Sequence, residues 1–317
     1  MLVNQDKFRE MGTIITKLIS RLTTVPYDCK KSAAFIPILF IILLFLTSCT
    51  AVKKEIEVLP VKNIPIVQAK SAAMPVPVAA REKTLKLMTY NIRHGVGIDN
   101  KLDLGRVIDT IKRAGPDIIA LNEVDHLMLR SQMQKQDQMI AESLGYNVVY
   151  GYTISRGSKY GNALVTKYPV KSSTNHQLPG DRTTEPRGLI EAELDIDGKT
   201  IKVMVTHLST QDQERPRQVE FIEKKLKETK GPKILMGDFN ARPLSDEVRR
   251  ISKVMKDSAG KEYNTFPANK PNVRIDYIFV SDEIDIKSSK PIESQASDHM
   301  PVVAEVVLNG DELKESR

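Results

Sequence analysis

Apolar residues recur along this chain in short runs that end in polar turns. Leu85-Lys86-Leu87-Met88-Thr89-Tyr90-Asn91-Ile92 reads as a strand running into Arg93-His94-Gly95, and Asp117-Ile118-Ile119-Ala120-Leu121-Asn122-Glu123 repeats the pattern. Between them Asp103 is placed to cap a helix: Leu104, Val107, Ile108 and Ile111 follow at helical spacing, and Gly115-Pro116 stops it. A second helix is expected from Gln136 to Leu144, closed by Gly145. After Tyr146 the texture turns to strands, at Asn147–Tyr152, Asn162–Thr166, Arg187–Ile196 and Thr200–Leu208. Asp197-Gly198 joins the last two as a tight hairpin. A polar amphipathic helix fits Glu214–Glu228. Ile234-Leu235-Met236 then runs through Gly237 into Asp238-Phe239-Asn240, a buried strand with an acid and an amide at its tip. A helix near Ser245–Val254 and strands at Ile275–Val280 and Val302–Leu308 complete the set.

Strands outnumber helices, and no internal repeat is visible. The pattern predicts an α/β (α+β) domain of two mixed sheets packed face to face with helices outside, over residues 84–310, with a polar tail at 311–317.

The N-terminal quarter has a different texture. Lys30-Lys31 precede a mostly apolar run from Ala33 to Leu46, followed by Leu46-Thr47-Ser48-Cys49, the order of a secretory signal. The run is too short for a comfortable membrane span. Its ending resembles a bacterial lipobox, which implies that residues 1–48 are removed and that Cys49 is lipidated, fixing the protein to a membrane on the extracytoplasmic side of the cell envelope. A short uncleaved anchor is the alternative. Pro60, Pro65, Pro75 and Pro77 mark residues 49–83 as an extended tether. Cys29 and Cys49 are the only cysteines, so the domain holds no disulfide.

The formal charge of +7 and pI of about 9.1 are mildly basic. Losing residues 1–48 removes six basic and three acidic side chains and lowers the charge to about +4. Aromatics are 5% with no Trp. This is not the dense basic surface of a dedicated nucleic-acid binder.

Asn91, Glu123, Asn162, His207, Asp238, Asn240, Asp276, Asp298 and His299 each follow or end a short apolar run. One such residue would be an ordinary turn. A whole set at strand ends suggests a site where loops converge on a rigid sheet. His94, His126 and His176 carry no motif and are expected on the surface or in loops.

The motifs Thr89-Tyr90-Asn91-Ile92-Arg93-His94-Gly95, Asn122-Glu123-Val124-Asp125, Thr206-His207-Leu208, Gly237-Asp238-Phe239-Asn240, Arg274-Ile275-Asp276-Tyr277 and Ser297-Asp298-His299 resemble, in order, those of the endonuclease/exonuclease/phosphatase superfamily. The resemblance implies a four-layered α/β/β/α sandwich and a Mg²⁺- or Mn²⁺-dependent phosphoester hydrolase. It implies that Glu123 is the main metal ligand with Asn91 beside it and Asp298 completing the metal environment. Asp276 would orient His299, and Asp238 and His299 jointly would serve as general base. His207 would act as acid or oxyanion stabiliser, and Asn240 would hold a phosphate oxygen. Asn162 and Arg187 would meet substrate phosphate, with Arg182 a second candidate.

Substrate is open at this level. A phospholipid, sphingolipid, inositol phosphate or glycolipid head group suits an envelope enzyme, and the Asn-Ile-Arg-His-Gly turn resembles domains associated with remodelling of glycolipid anchors. Nucleic acid is permitted but less favoured. A catalytically dead, lipid-tethered phosphate-binding module is the alternative of another class. A monomer is expected.

Overall fold

The computed structural model describes residues 83–308, Arg156 and Lys261 excepted. Cys49, the signal-like segment, nearly all of the 49–83 tether and the 311–317 tail lie outside the described residues. The elements run β1 (Lys83–Asn91), α1 (Leu104–Ala114), β2 (Ile118–His126), α2 (Gln136–Leu144), β3 (Asn147–Ser155), β4 (Lys159–Thr166), β5 (Val170–Gln177) and β6 (Gly188–Ile196). They continue with β7 (Lys199–His207), α3 (Arg215–Glu228), β8 (Lys233–Asp238), α4 (Asp246–Ser252), β9 (Lys256–Asp257), β10 (Asp276–Val280), β11 (Ile284–Pro291) and β12 (Val302–Leu308).

Two six-stranded sheets form, in the orders β11-β12-β1-β2-β4-β3 and β5-β6-β7-β8-β10-β9. Each has one parallel pair, β1 with β2 and β7 with β8, and antiparallel neighbours elsewhere. A parallel pair needs a crossover, and here each crossover is a helix, α1 or α3.

Three apolar layers follow from strand alternation. Leu85 and Leu87 of β1 meet Ile190 and Val203 of the second sheet in the core between the sheets. The alternate residues Met88 and Tyr90 face Val107 and Ile111 of α1 on the outside. On the far side Leu235 and Phe279 pack under Val219 and Ile222 of α3. The order is helix, sheet, sheet, helix, as the two-sheet expectation requires.

Local signals act where they stand in the sequence. Asp103 accepts from the Arg106 backbone N–H to start α1, Gly115 ends it in the left-handed conformation, and Ser245 caps α4. Asp197 and Gly198 take φ of 53° and 87°, a primed turn that suits the twist of the β6–β7 hairpin. Three strands were not foreseen: β5, β9 and β11. β5 and β11 are edge strands and largely exposed, so neither carries an apolar alternation. β9 is only two residues long.

Gly237 is a backbone requirement. Its φ is +147°, and a Cβ there would run into the Thr206 carbonyl of the neighbouring parallel strand. Gly237→Ala is expected to cost at least about 3 kcal/mol, roughly 6–12 °C in Tm. A thermal melt within about 2 °C of the parent would contradict this close approach.

Candidate active site

The polar set continues the inter-sheet core. On β1 the core positions Leu85 and Leu87 lead two by two to Thr89 and Asn91. On β7 Val203 and Val205 lead to His207; on β8 Ile234 and Met236 lead to Asp238; on β10 Ile278 and Val280 share a face with Asp276. The C-terminal ends of both parallel pairs therefore deliver polar side chains into the gap between the sheets. Phe239, on the other parity, is fully buried against Tyr277 and Phe279, with ring centroids 5.2 and 5.4 Å away. That anchor fixes the turn carrying Asp238 and Asn240.

One group centres on Glu123. It sits in a β-bulge, where the β2–β4 register shifts between Leu121 and Val124, and its φ is 58°. Asn122 follows Ile118 and Ala120 onto the inter-sheet face, and the bulge breaks the two-residue alternation so that Glu123 serves the same site. Asn91 Nδ2 donates to Glu123 Oε1 at 3.0 Å and to Asp238 Oδ2 at 3.1 Å, tying the two sheets together. Burial pushes the Glu123 carboxyl above the usual carboxylate range, with the nearby Asp298 charge adding to it. Asp298 itself lies 3.6 Å from Arg93 Nε and accepts from Ser297 Oγ. A half-buried acid short of donors, with an amide beside it and a second acid near, fits a hard divalent cation that takes few protein ligands.

The second group centres on Asp238. His299 Nδ1 donates to Asp276, 3.0 Å from Oδ2 and 3.2 Å from Oδ1. Asp238 Oδ2 lies 3.7 Å from His299 Nε2 and 3.5 Å from His207 Nε2. All four side chains are buried. Burial pushes Asp238 up to about 7, opposed by His299 and reinforced by Asp276. His299 reaches about 10: burial works against its charge, and Asp276 and Asp238 outweigh that. Ligand atoms of Asp238, Asp276 and His299 lie within 4.8 Å of one another, a spacing that could also hold a metal ion. The imidazolium between the two acids already neutralises that cluster from within.

Arg187 does something other than the sequence suggested. Its Nη1 donates to His207 Nδ1 at 3.0 Å and to Glu185 Oε1 at 2.6 Å. A guanidinium cannot accept, so Nδ1 is the acceptor and the His207 proton sits on Nε2. His207 is held neutral: burial first, then the Arg187 charge, drives its pKa well below the ordinary value. Asn240 donates from Nδ2 to the Leu208 carbonyl and from its backbone N–H to Asp238 Oδ1. Asn162 is bound at both ends of its amide, accepting from Asn122 at 2.9 Å and donating to the Gly188 carbonyl at 3.3 Å. Arg182 is exposed and pairs with no site residue among the described residues.

The sequence model of the Endonuclease/Exonuclease/phosphatase family matches residues 88–299. The chain belongs to this family. Its members are hydrolases of phosphoesters. An uncharacterised Escherichia coli protein, YbhP, is 24% identical over 254 residues, covering 73% of this chain and all of that one. Among solved structures, a family protein of Bacteroides vulgatus aligns with TM-score 0.60 at 24% identity, covering 72% of this chain and 100% of the other. A mannosyl-6-phosphatase of Bacteroides thetaiotaomicron aligns with TM-score 0.60 at 21% identity, covering 70% and 99%. These structures share the fold.

Two residues near this family site escaped the sequence reading. Asn122 is fully buried, donates to Asn162 Oδ1 and the Thr206 carbonyl, and accepts from the Asp238 backbone N–H at 3.0 Å. Strand alternation already sets it on the inter-sheet face with Ile118 and Ala120, and the bulge brings Glu123 alongside it. Asn122→Ala would leave the Asp238 N–H and the Thr206 carbonyl unpaired. A loss of about 1–3 kcal/mol is expected in urea unfolding. The second is His94, 3.9 Å from Glu123 Oε2. The histidines expected on the surface are in fact partnered or partly buried. His126 Nδ1 is 2.7 Å from Asp137 Oδ1, and His176 Nε2 is 2.7 Å from Glu191 Oε2.

Proposed function

We propose that this protein is a metal-dependent phosphoester hydrolase of the cell envelope, tethered through lipidated Cys49 and acting on a phospholipid or glycolipid head group. The observation that supports the chemistry is the meeting of Asn91, His207 and His299 around one buried carboxylate oxygen of Asp238. Glu123, with Asn91 against it and Asp298 near, would hold the Mg²⁺ or Mn²⁺ ion, which when bound polarises the phosphoryl oxygens. Asp238, with a pKa of about 7, is matched to taking the proton of the attacking water. His299, kept charged by Asp276, steadies the developing negative charge from Nε2. His207 offers its Nε2–H as a neutral donor to a phosphate or leaving-group oxygen. Asn240 retains an amide hydrogen for a phosphate oxygen. Arg187 acts through His207.

The test is hydrolysis of a bis-aryl phosphate by the purified protein. Turnover with Mg²⁺ or Mn²⁺ that chelator abolishes is expected. No turnover of any phosphoester by folded, metal-supplied protein would sink the reading and favour a binding module. Activity on phospholipid vesicles compared with plasmid nicking separates a head-group substrate from nucleic acid. Palmitate labelling that is lost on Cys49→Ala checks the tether.

A further inference from the structure

We propose that His94 supplies a nitrogen ligand to the cation held by Glu123, making the metal site a mixed carboxylate–imidazole site. This rests on the metal-dependent reading above and specifies the ligand set. Two atoms carry it. Asn91 occupies Glu123 Oε1, while Oε2 takes no hydrogen bond from the described residues. Facing Oε2 at 3.9 Å is His94 Nδ1, which is buried and has no hydrogen-bond partner. That separation is too long for a hydrogen bond. Two metal–ligand bonds of about 2.0–2.2 Å each can span it.

The backbone around His94 is built to hold the ring there. Arg93 and His94 have φ of 44° and 43°, consecutive left-handed residues where glycine or asparagine would be the easy choice. Gln136, the first residue of α2 and fully buried, donates to the His94 carbonyl at 2.7 Å and accepts from the Asp125 backbone N–H at 3.0 Å. One amide thus fastens the His94 turn to the same strand that carries Glu123. A histidine that merely filled space would find a partner for its buried nitrogen, as His126 and His176 do. Mg²⁺ keeps to oxygen ligands, whereas Mn²⁺ opens the transition-metal series that nitrogen-containing sites bind, at its weak end. The site should therefore discriminate between these ions.

Mn²⁺ alone, added to the full-length protein, is the probe. Electron spin echo modulation should show a directly bound imidazole nitrogen, and that signal should vanish in His94→Asn. Asparagine tolerates the left-handed backbone, so this variant keeps the turn. The Mn²⁺ Kd is expected to weaken roughly 10–100-fold in the variant, and the Mg²⁺ Kd to change by less than about threefold. Bound Mn²⁺ without nitrogen modulation would overturn the ligand assignment and leave the hydrolase reading standing. So would modulation that persists in His94→Asn, which would point to the His299 cluster. Absence of Mn²⁺ binding alone would overturn the ligand assignment, and absence of both Mn²⁺ and Mg²⁺ binding would overturn the metal-dependent reading with it.

Discussion

Asp238→Ala is expected to lower kcat on a bis-aryl phosphate by about 10²–10⁴-fold, the range that a positioned general base contributes. The fold should survive the change. Asp238 is buried with its carboxyl pushed up to about 7, so its charge stands in the interior against a desolvation cost. Alanine removes that cost along with two accepted hydrogen bonds, from Asn91 and the Asn240 backbone. The two effects oppose each other. A thermal melt run beside the kinetics separates them, since a folded variant with kcat within about fivefold of the parent would remove Asp238 from the proton-transfer step.

The second large effect is on stability at high pH. In the folded protein His299 keeps its proton up to about 10, against an ordinary value of 6.5. The stabilisation is fully present below about 6.5 and is lost as the pH climbs toward 10. In that window the folded state binds a proton that the unfolded state has released, so the free energy of unfolding falls by as much as about 1.4 kcal/mol per pH unit. Asp238 acts lower. Its pKa is raised from 3.8 to about 7, so its contribution changes between those values and is spent by pH 7. Above neutrality the slope belongs to His299. Urea unfolding at pH 7, 8, 9 and 10 should show it, and His299→Asn should flatten it. Equal slopes in parent and variant would show that the imidazolium is not held by Asp276 and Asp238.

What the sequence shows of this molecule tracks burial. Helix α1 is announced by Asp103, by Leu104, Val107 and Ile111, and by Gly115, because cap and apolar face belong to neighbouring residues. Strands β5 and β11 are silent because an edge strand owes its place to main-chain pairing with β6 and β12, which no periodicity records. The site divides the same way. Asn91, His207 and Asp238 are visible as polar ends of core strands. The access of Glu123 depends on a bulge, and that of His94 on two left-handed residues. Both are backbone events with no side-chain signature. Arg187 was legible as a cation near the site, but its partner lies twenty residues on, across a hairpin.

The alternation that turns core into site also acts as a proofreader. Asn91, His207, Asp238 and Asp276 occupy the same strand faces as the residues between the sheets, so a strand that slips by one position sends its site residue outward together with its core residues. A mispaired chain therefore loses its chemistry along with its stability. A molecule with a slipped strand lacks a complete site, which confines activity to molecules whose register is complete.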